Sequence, residues 1–272
     1  MSGKLHVALM QIDLFWEDIQ SNLQSVEEKI NSLPEDVDLV IFPEMFTTGF
    51  TMNPEKNAET MSGKTVNWIR ELARKKNMAI TGSIVVKEDS KNSNETLYFN
   101  RLLFIHPNGK IEYYDKKHTF TLAGEHDIYT AGQERILIHY KGWKICPLIC
   151  YDLRFPVWAR NTDDYDLLFY VASWPELRIN AWDALLKSRA IENMSYTIGV
   201  NRVGEDANGH HYNGNSACFD TLGNCMVKDV SGKETTLMIT LDKKVQDLER
   251  KKFNFLADRD GFRLSGINGI FL

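Results

Sequence analysis

The stretch 144–161, "KICPLICYDLRFPVWARN", decides how this chain is read. It starts as an apolar strand, ends that strand on Cys150, and then places Asp152 and Arg154 ahead of a short helical segment, "FPVWARN". A sharp turn from strand to helix would make the Cys150 sulfur project from the bend, with the amide N–H of Tyr151 pointing into the same space. A helix N-terminus lowers a thiol pKa and a nearby ammonium lowers it further, which would suit a nucleophile. The competing reading is a buried thiol that fills space, as expected for Cys146 four residues earlier. Cys150 needs partners before chemistry can be assigned to it.

Outward from this stretch, helix and strand patterns alternate. Residues 4–12 and 37–43 are β-rich and enclose "WEDIQSNLQSVEEKINSL", where Ile19, Leu23, Val26 and Ile30 recur at helical spacing. "TVNWIRELARKKN" leads into "MAITGSIVV", and "YFNRLLFIHPNGKIEYYDK" reads as a hairpin turning at Pro107-Asn108-Gly109. A second hairpin turns at Lys141-Gly142. Strand "YDLLFYVASW", helix "AWDALLKSRAIENM" and strand "YTIGVNRVG" follow, and "NSACFDTLG" with "TTLMITLD" reads as a last hairpin-like pair. No linker, composition shift or internal repeat divides the chain. The expectation is one α/β domain over 1–272, two sheets with helices outside.

Composition narrows the function. With 43% hydrophobic and 25% charged residues over 272 positions the chain can bury a large core. A formal net charge of -5 leaves no basic surplus for a phosphate backbone, so no nucleic-acid partner is expected. There is no signal-peptide pattern at the N-terminus and no apolar run of the ~20 residues a membrane span needs. A cytoplasmic protein with free thiols follows as an expectation. Cysteines at 146, 150, 218 and 225 lack C-x-x-C spacing, and no H-E-x-x-H accompanies them, so no metal is expected.

Two further polar residues stand at strand ends. Glu44 follows "DLVIF" and a proline that stops further pairing, the edge at which α/β sheets place ligands. A solvated loop acid reads as well from position alone. Lys116 and Lys117 lie beside His118 after the first hairpin, where a lysine is ordinarily solvent-facing. A Cys/His pairing would have to choose among His118, His126 and His210 without guidance, and the local signatures of papain-like and G-x-S-x-G enzymes are absent.

Taken together, "FPEMFTTGF", "DKKHTF", "PLICYDLRFPVWARN" and "LLKSRAIENMSYTIGVNRVG" resemble the nitrilase, or carbon-nitrogen hydrolase, superfamily, and within it the bacterial omega-amidases. The likeness spans roughly residues 5 to 240. It implies a four-layer αββα sandwich, a homodimer, and a Glu-Lys-Cys triad without a cofactor. Carried over position by position, Glu44 is the general base, Cys150 the nucleophile and Lys116 the oxyanion lysine, with Lys117 the alternative register. The Tyr151 backbone N–H is the second oxyanion donor, and Glu125 matches a further glutamate that lines such sites or is a surface acid. The activity implied is hydrolysis of the ω-amide of small 2-oxo dicarboxylic acid monoamides. Arg154 would hold the substrate carboxylate or else pair with Asp152, and Phe46, Phe120 and Trp174 would wall the pocket or pack the core. An aliphatic amidase, carbamoylase or nitrilase is the alternative within the family, and a catalytically idle scaffold the alternative outside enzymology.

Overall fold

The computed structural model describes residues 3–90, 93–262 and 264. The first half runs β1 (Lys4–Gln11), α1 (Ile19–Asn31), β2 (Leu39–Ile41), α2 (Pro54–Asn57), α3 (Lys64–Lys76), β3 (Ala79–Asp89), β4 (Thr96–Ile105), β5 (Ile111–Asp115) and α4 (Glu125–Ile128). The second continues with β6 (Ile138–Tyr140), β7 (Trp143–Ile149), a 3-10 turn over Cys150–Arg154, α5 (Pro156–Ala159), β8 (Leu167–Ala172), α6 (Ile179–Asn193) and β9 (Tyr196–Asn201). It closes with β10 (Val203–Glu205), β11 (His211–Asn213), β12 (Ala217–Phe219), β13 (Cys225–Lys228), β14 (Thr235–Asp242) and α7 (Lys243–Phe253).

Two six-stranded sheets result, ordered β14-β1-β2-β3-β4-β5 and β13-β12-β9-β8-β7-β6. Each has three parallel strands, β1-β2-β3 in one and β7-β8-β9 in the other, with antiparallel strands added at its edges. The period-2 alternation of strand side chains turns this into layers. On β1, Leu5, Val7 and Leu9 face the second sheet and join one core with Leu148, Tyr170 and Ile198. Ala8 and Met10 point the other way, onto Val26 and Ile30 of α1 and Val66 and Ile69 of α3. Trp182, Leu186 and Ala190 of α6 cover the outer face of the second sheet. The order is helix, sheet, sheet, helix.

Local chemistry fits the elements. Asp18 caps α1 by accepting from the Ser21 N–H, and Asn77 ends α3 in the left-handed conformation with φ 52°. Lys141 and Gly142, at φ 48° and 84°, make the two-residue turn between β6 and β7. Pro147 is tolerated inside β7 because the pairing with β6 has already stopped at Ile145.

Two expectations need correction. "NSACFDTLG" and "TTLMITLD" do not form a hairpin: β12 pairs with β9 and β13, whereas β14 crosses to the other sheet and pairs with β1 along eight residues. The apolar positions of β14 match the core face of β1, and periodicity along one strand carries no information about its partner. The helix expected over 155–161 is shorter, because the chain coils directly at Cys150 into a 3-10 turn before the single α turn at Pro156–Ala159.

Gly199 shows how closely α6 sits on β9. A Cβ there would lie 2.4 Å from Leu186 Cδ1 and 2.5 Å from Trp182 Cζ2. Gly199→Ala should therefore destabilise the fold by about 1–3 kcal/mol through overpacking, seen as a lower urea midpoint at unchanged slope. An unchanged midpoint would mean that α6 does not bear on the strand at this point.

Candidate active site

All the sequence candidates with chemistry lie at one end of the two sheets. β2 and β7 finish there with Glu44 and Cys150, and β5 delivers Lys116 to the same end. Parallel strands point their C-termini in one direction, so side chains distant in sequence converge at that edge. Glu44 is completely buried after Pro43, and the next residue, Met45, is left-handed at φ 47° with its N–H donating to Ser83 Oγ at 2.8 Å. Cys150 is also left-handed, at φ 42°. For a side chain other than Gly, Asn or Asp this conformation costs roughly 1–3 kcal/mol and persists only where the surroundings impose it.

The three groups form one cluster. Lys116 Nζ donates to Glu44 Oε1 at 2.8 Å and to Glu125 Oε1 and Oε2 at 3.0 and 2.8 Å. Glu44 Oε2 accepts the Ser173 backbone N–H at 2.9 Å, and Asn100 Nδ2 donates to Glu44 Oε1 at 2.8 Å and to Glu125 Oε1 at 3.2 Å. The Cys150 thiol donates to the Ser173 carbonyl, 4.0 Å from Sγ, and stands near enough to Glu44 for the carboxylate charge to act on it. Lys117 is outside the cluster, its Nζ 5.7 Å from the Trp158 ring centre. Glu125 is buried within it rather than solvated on the surface.

Electrostatics follow from two carboxylates facing one ammonium without water. Burial pulls Lys116 down, but the Glu125 and Glu44 carboxylates outweigh it and hold the ammonium above the ordinary lysine range. Burial pushes the Glu125 carboxyl up, and Lys116 recovers only part of that shift. Burial also pushes the Cys150 thiol well above its ordinary value, and the Glu44 charge adds to it, against the pull of Lys116. This reverses the expectation of a thiol lowered by its helix N-terminus: desolvation and a facing carboxylate prevail over a short 3-10 turn. Burial and the facing charge both favour the protonated thiol.

A cavity of about 410 Å³ opens above the cluster and is lined by Lys116, Cys150, Tyr151, Phe120, Trp174 and Arg154, among others. The Arg154 guanidinium lies 4.9 Å from the Trp174 ring centre and forms no ion pair among the described residues. The alternative pairing with Asp152 is absent, since that carboxylate is engaged by Tyr114, Ile149 and His118. Phe46 is not a pocket wall. It stacks on Phe42 at 5.0 Å in the core between the first sheet and its helices, close to Gly82.

Sequence reasoning missed Asn100, Ser173 and the remainder of the wall, including Phe50, Arg178 and Tyr212. Asn100 carried a usable signal, a polar residue inside the apolar strand "YFNRLLF". Ser173 holds the Glu44 carboxylate through its backbone N–H, which no side-chain pattern reports, while its Oγ donates to the Glu44 carbonyl at 3.3 Å. Asn201, at the end of β9, holds the Trp174 segment by accepting from its N–H at 2.7 Å and donating to its carbonyl at 2.9 Å.

Known proteins place this geometry in context. The family model "Carbon-nitrogen hydrolase" matches residues 6–250. Omega-amidase YafV of Yersinia enterocolitica is 42% identical over 260 residues, covering 96% of this chain and 98% of that protein. A 2-oxoglutaramate amidase of Bacillus subtilis is 30% identical over 230 residues, covering 83% and 86%. Among solved structures, XC1258 from Xanthomonas campestris, a CN-hydrolase superfamily protein with an arsenic adduct in its active site, superposes with a TM-score of 0.91. It is 40% identical, with 96% of this chain and 99% of that one covered. Motifs, layered sheets and full-length similarity agree, and the chain belongs to the carbon-nitrogen hydrolase family.

Proposed function

We propose that this hydrolase cleaves the ω-amide of small 2-oxo dicarboxylic acid monoamides, 2-oxoglutaramate and 2-oxosuccinamate, releasing the dicarboxylate and ammonia through a thioester on Cys150. The observation that carries the reading is a buried Glu44–Lys116–Cys150 cluster flooring a cavity that holds Arg154, which has no ion pair among the described residues. The similarity to proteins named omega-amidase and 2-oxoglutaramate amidase supports the substrate class.

The steps follow from the contacts. Glu44 takes the thiol proton as Cys150 Sγ bonds to the amide carbon, so no free thiolate has to be maintained beforehand. The oxygen that gains charge meets the Lys116 ammonium and the Tyr151 N–H, which lies in the first turn of a 3-10 helix and lacks an intrahelical acceptor. Glu44 returns the proton to the departing nitrogen, and the C–N bond breaks to release ammonia. Water then attacks the thioester while Glu44 accepts its proton, the S–C bond breaks and the sulfur is reprotonated. Arg154 pairs with the distal carboxylate, and the Trp174 and Phe120 rings limit the chain length that fits.

Ammonia release from 2-oxoglutaramate tests this directly. Cys150→Ala and Glu44→Gln should abolish turnover, and Lys116→Ala should lose about 10²–10³ in kcat as an oxyanion donor, whereas Lys117→Ala should stay near wild type. Equal, mild effects of the two lysine variants would remove lysine from the mechanism, and retention of a tenth of the activity by Cys150→Ala would exclude the thioester. Because the raised thiol pKa keeps the sulfur protonated at neutral pH, the ultraviolet thiolate absorbance that disappears in Cys150→Ala should emerge only in alkaline solution. A thiolate step in the acidic range would instead indicate a preformed ion pair. Arg154→Ala should raise KM for 2-oxoglutaramate about 10-fold or more, the worth of a charge-assisted hydrogen bond, and leave an uncharged amide of the same length unaffected. Loss of both substrates alike would separate Arg154 from carboxylate recognition.

A further inference from the structure

Asp152 takes no part in the chemistry above, is completely buried, and has both carboxylate oxygens occupied. Oδ2 accepts the Tyr114 hydroxyl at 2.8 Å and the Ile149 N–H at 3.0 Å. Oδ1 accepts the backbone N–H of His118 at 3.0 Å and its ring Nδ1–H at 2.7 Å. A carboxylate only accepts, so the proton in that last bond belongs to the histidine.

The four donors come from two segments far apart in sequence, and each adjoins a reacting group. Ile149 directly precedes Cys150, whereas Tyr114 and His118 lie two residues to either side of Lys116. The flat stack of His118 on Phe155, with ring centres 3.7 Å apart at 4°, fastens the same two segments a second time. We infer that Asp152 is a positioning residue that locks the Cys150 elbow to the Lys116 loop, fixing where the sulfur stands relative to the ammonium that receives the oxyanion. This rests on the reading of Glu44, Lys116 and Cys150 as the catalytic group.

The physical basis is twofold. Closing the turn onto the Ile149 N–H helps to keep Cys150 at φ 42°, a conformation the residue leaves unless its surroundings impose it. Anchoring both Tyr114 and His118 sets the loop from which Lys116 projects. Four donors converge on one side chain, so an amide of the same shape would turn an N–H₂ group toward donors. A displacement of ~1 Å between reacting groups can cost about 10² in rate.

The test is Asp152→Asn, with kcat and KM measured on 2-oxoglutaramate beside the rate at which chloroacetamide alkylates Cys150, using exposed Cys225 as an internal reference. The expected result is a folded protein whose kcat is reduced about 10- to 100-fold at nearly unchanged KM, with Cys150 alkylation slowed and that of Cys225 unaffected. A folded variant with wild-type kcat and wild-type Cys150 alkylation overturns the inference, even if its melting temperature is lower. Should Asp152→Asn fail to fold, His118→Phe decides, because it keeps a flat ring against Phe155 and removes one donor. Lower kcat at constant KM supports the lock, and unchanged kcat overturns it. Were the wild type to turn over no amide, the functional reading would fall, and the alkylation comparison would still decide the role of Asp152.

Discussion

A lysine ammonium is held between two carboxylates, with all three groups buried. Taking ions from water costs several kcal/mol each, and a group left unpaired there is strongly destabilising. The cluster persists because each charged group is paired: Lys116 by Glu44 and Glu125, and the glutamates additionally by the Asn100 amide, the Ser173 N–H and the Phe120 N–H. Burial and the Glu44 charge also raise the Cys150 thiol pKa, so in the proposed mechanism the sulfur keeps its proton until a carbonyl carbon is present to take the electrons as Glu44 takes the proton.

The fold supplies this arrangement by a simple device. Each sheet has a core of three parallel strands whose C-termini open at the same end, and the two sheets lie face to face. Residues at the ends of β2, β5 and β7 therefore meet, although more than a hundred positions separate the first from the last. β8 and β9 reach the same end with Ser173, whose backbone N–H holds the Glu44 carboxylate, and Asn201, which holds the Trp174 backbone.

Much of this was legible in the sequence, because strand termination is written in residue types. Pro43 before Glu44 and the coil signals after Cys150 and Lys116 mark three strand ends, and a polar side chain at each marks a shared edge. The 3.6-residue spacing of α1 likewise specifies its buried face, whereas β1 is apolar and buried on both faces, as a strand between two layers must be. What stayed hidden depends on partners rather than on local pattern. β14 has an ordinary alternating sequence that suits either sheet, and Phe46 looks like a cavity wall until Phe42 and Gly82 are seen to enclose it. Sequence position suggests an ion pair between Asp152 and Arg154, yet three of the four Asp152 donors come from the end of β5 and the loop after it, more than thirty residues upstream. The thiol pKa escapes the sequence for the same reason: a helix end is visible there, whereas the carboxylate near the sulfur and the depth of burial are not.

If Cys150 is the proposed nucleophile, carbon-nitrogen cleavage transfers an acyl group to that one buried sulfur. Mass spectrometry of the protein quenched during saturating turnover of 2-oxoglutaramate should then find the peptide containing Cys150 heavier by the mass of the substrate less ammonia. An acyl group on any other residue, or steady ammonia release from protein whose Cys150 has already been alkylated, would contradict it.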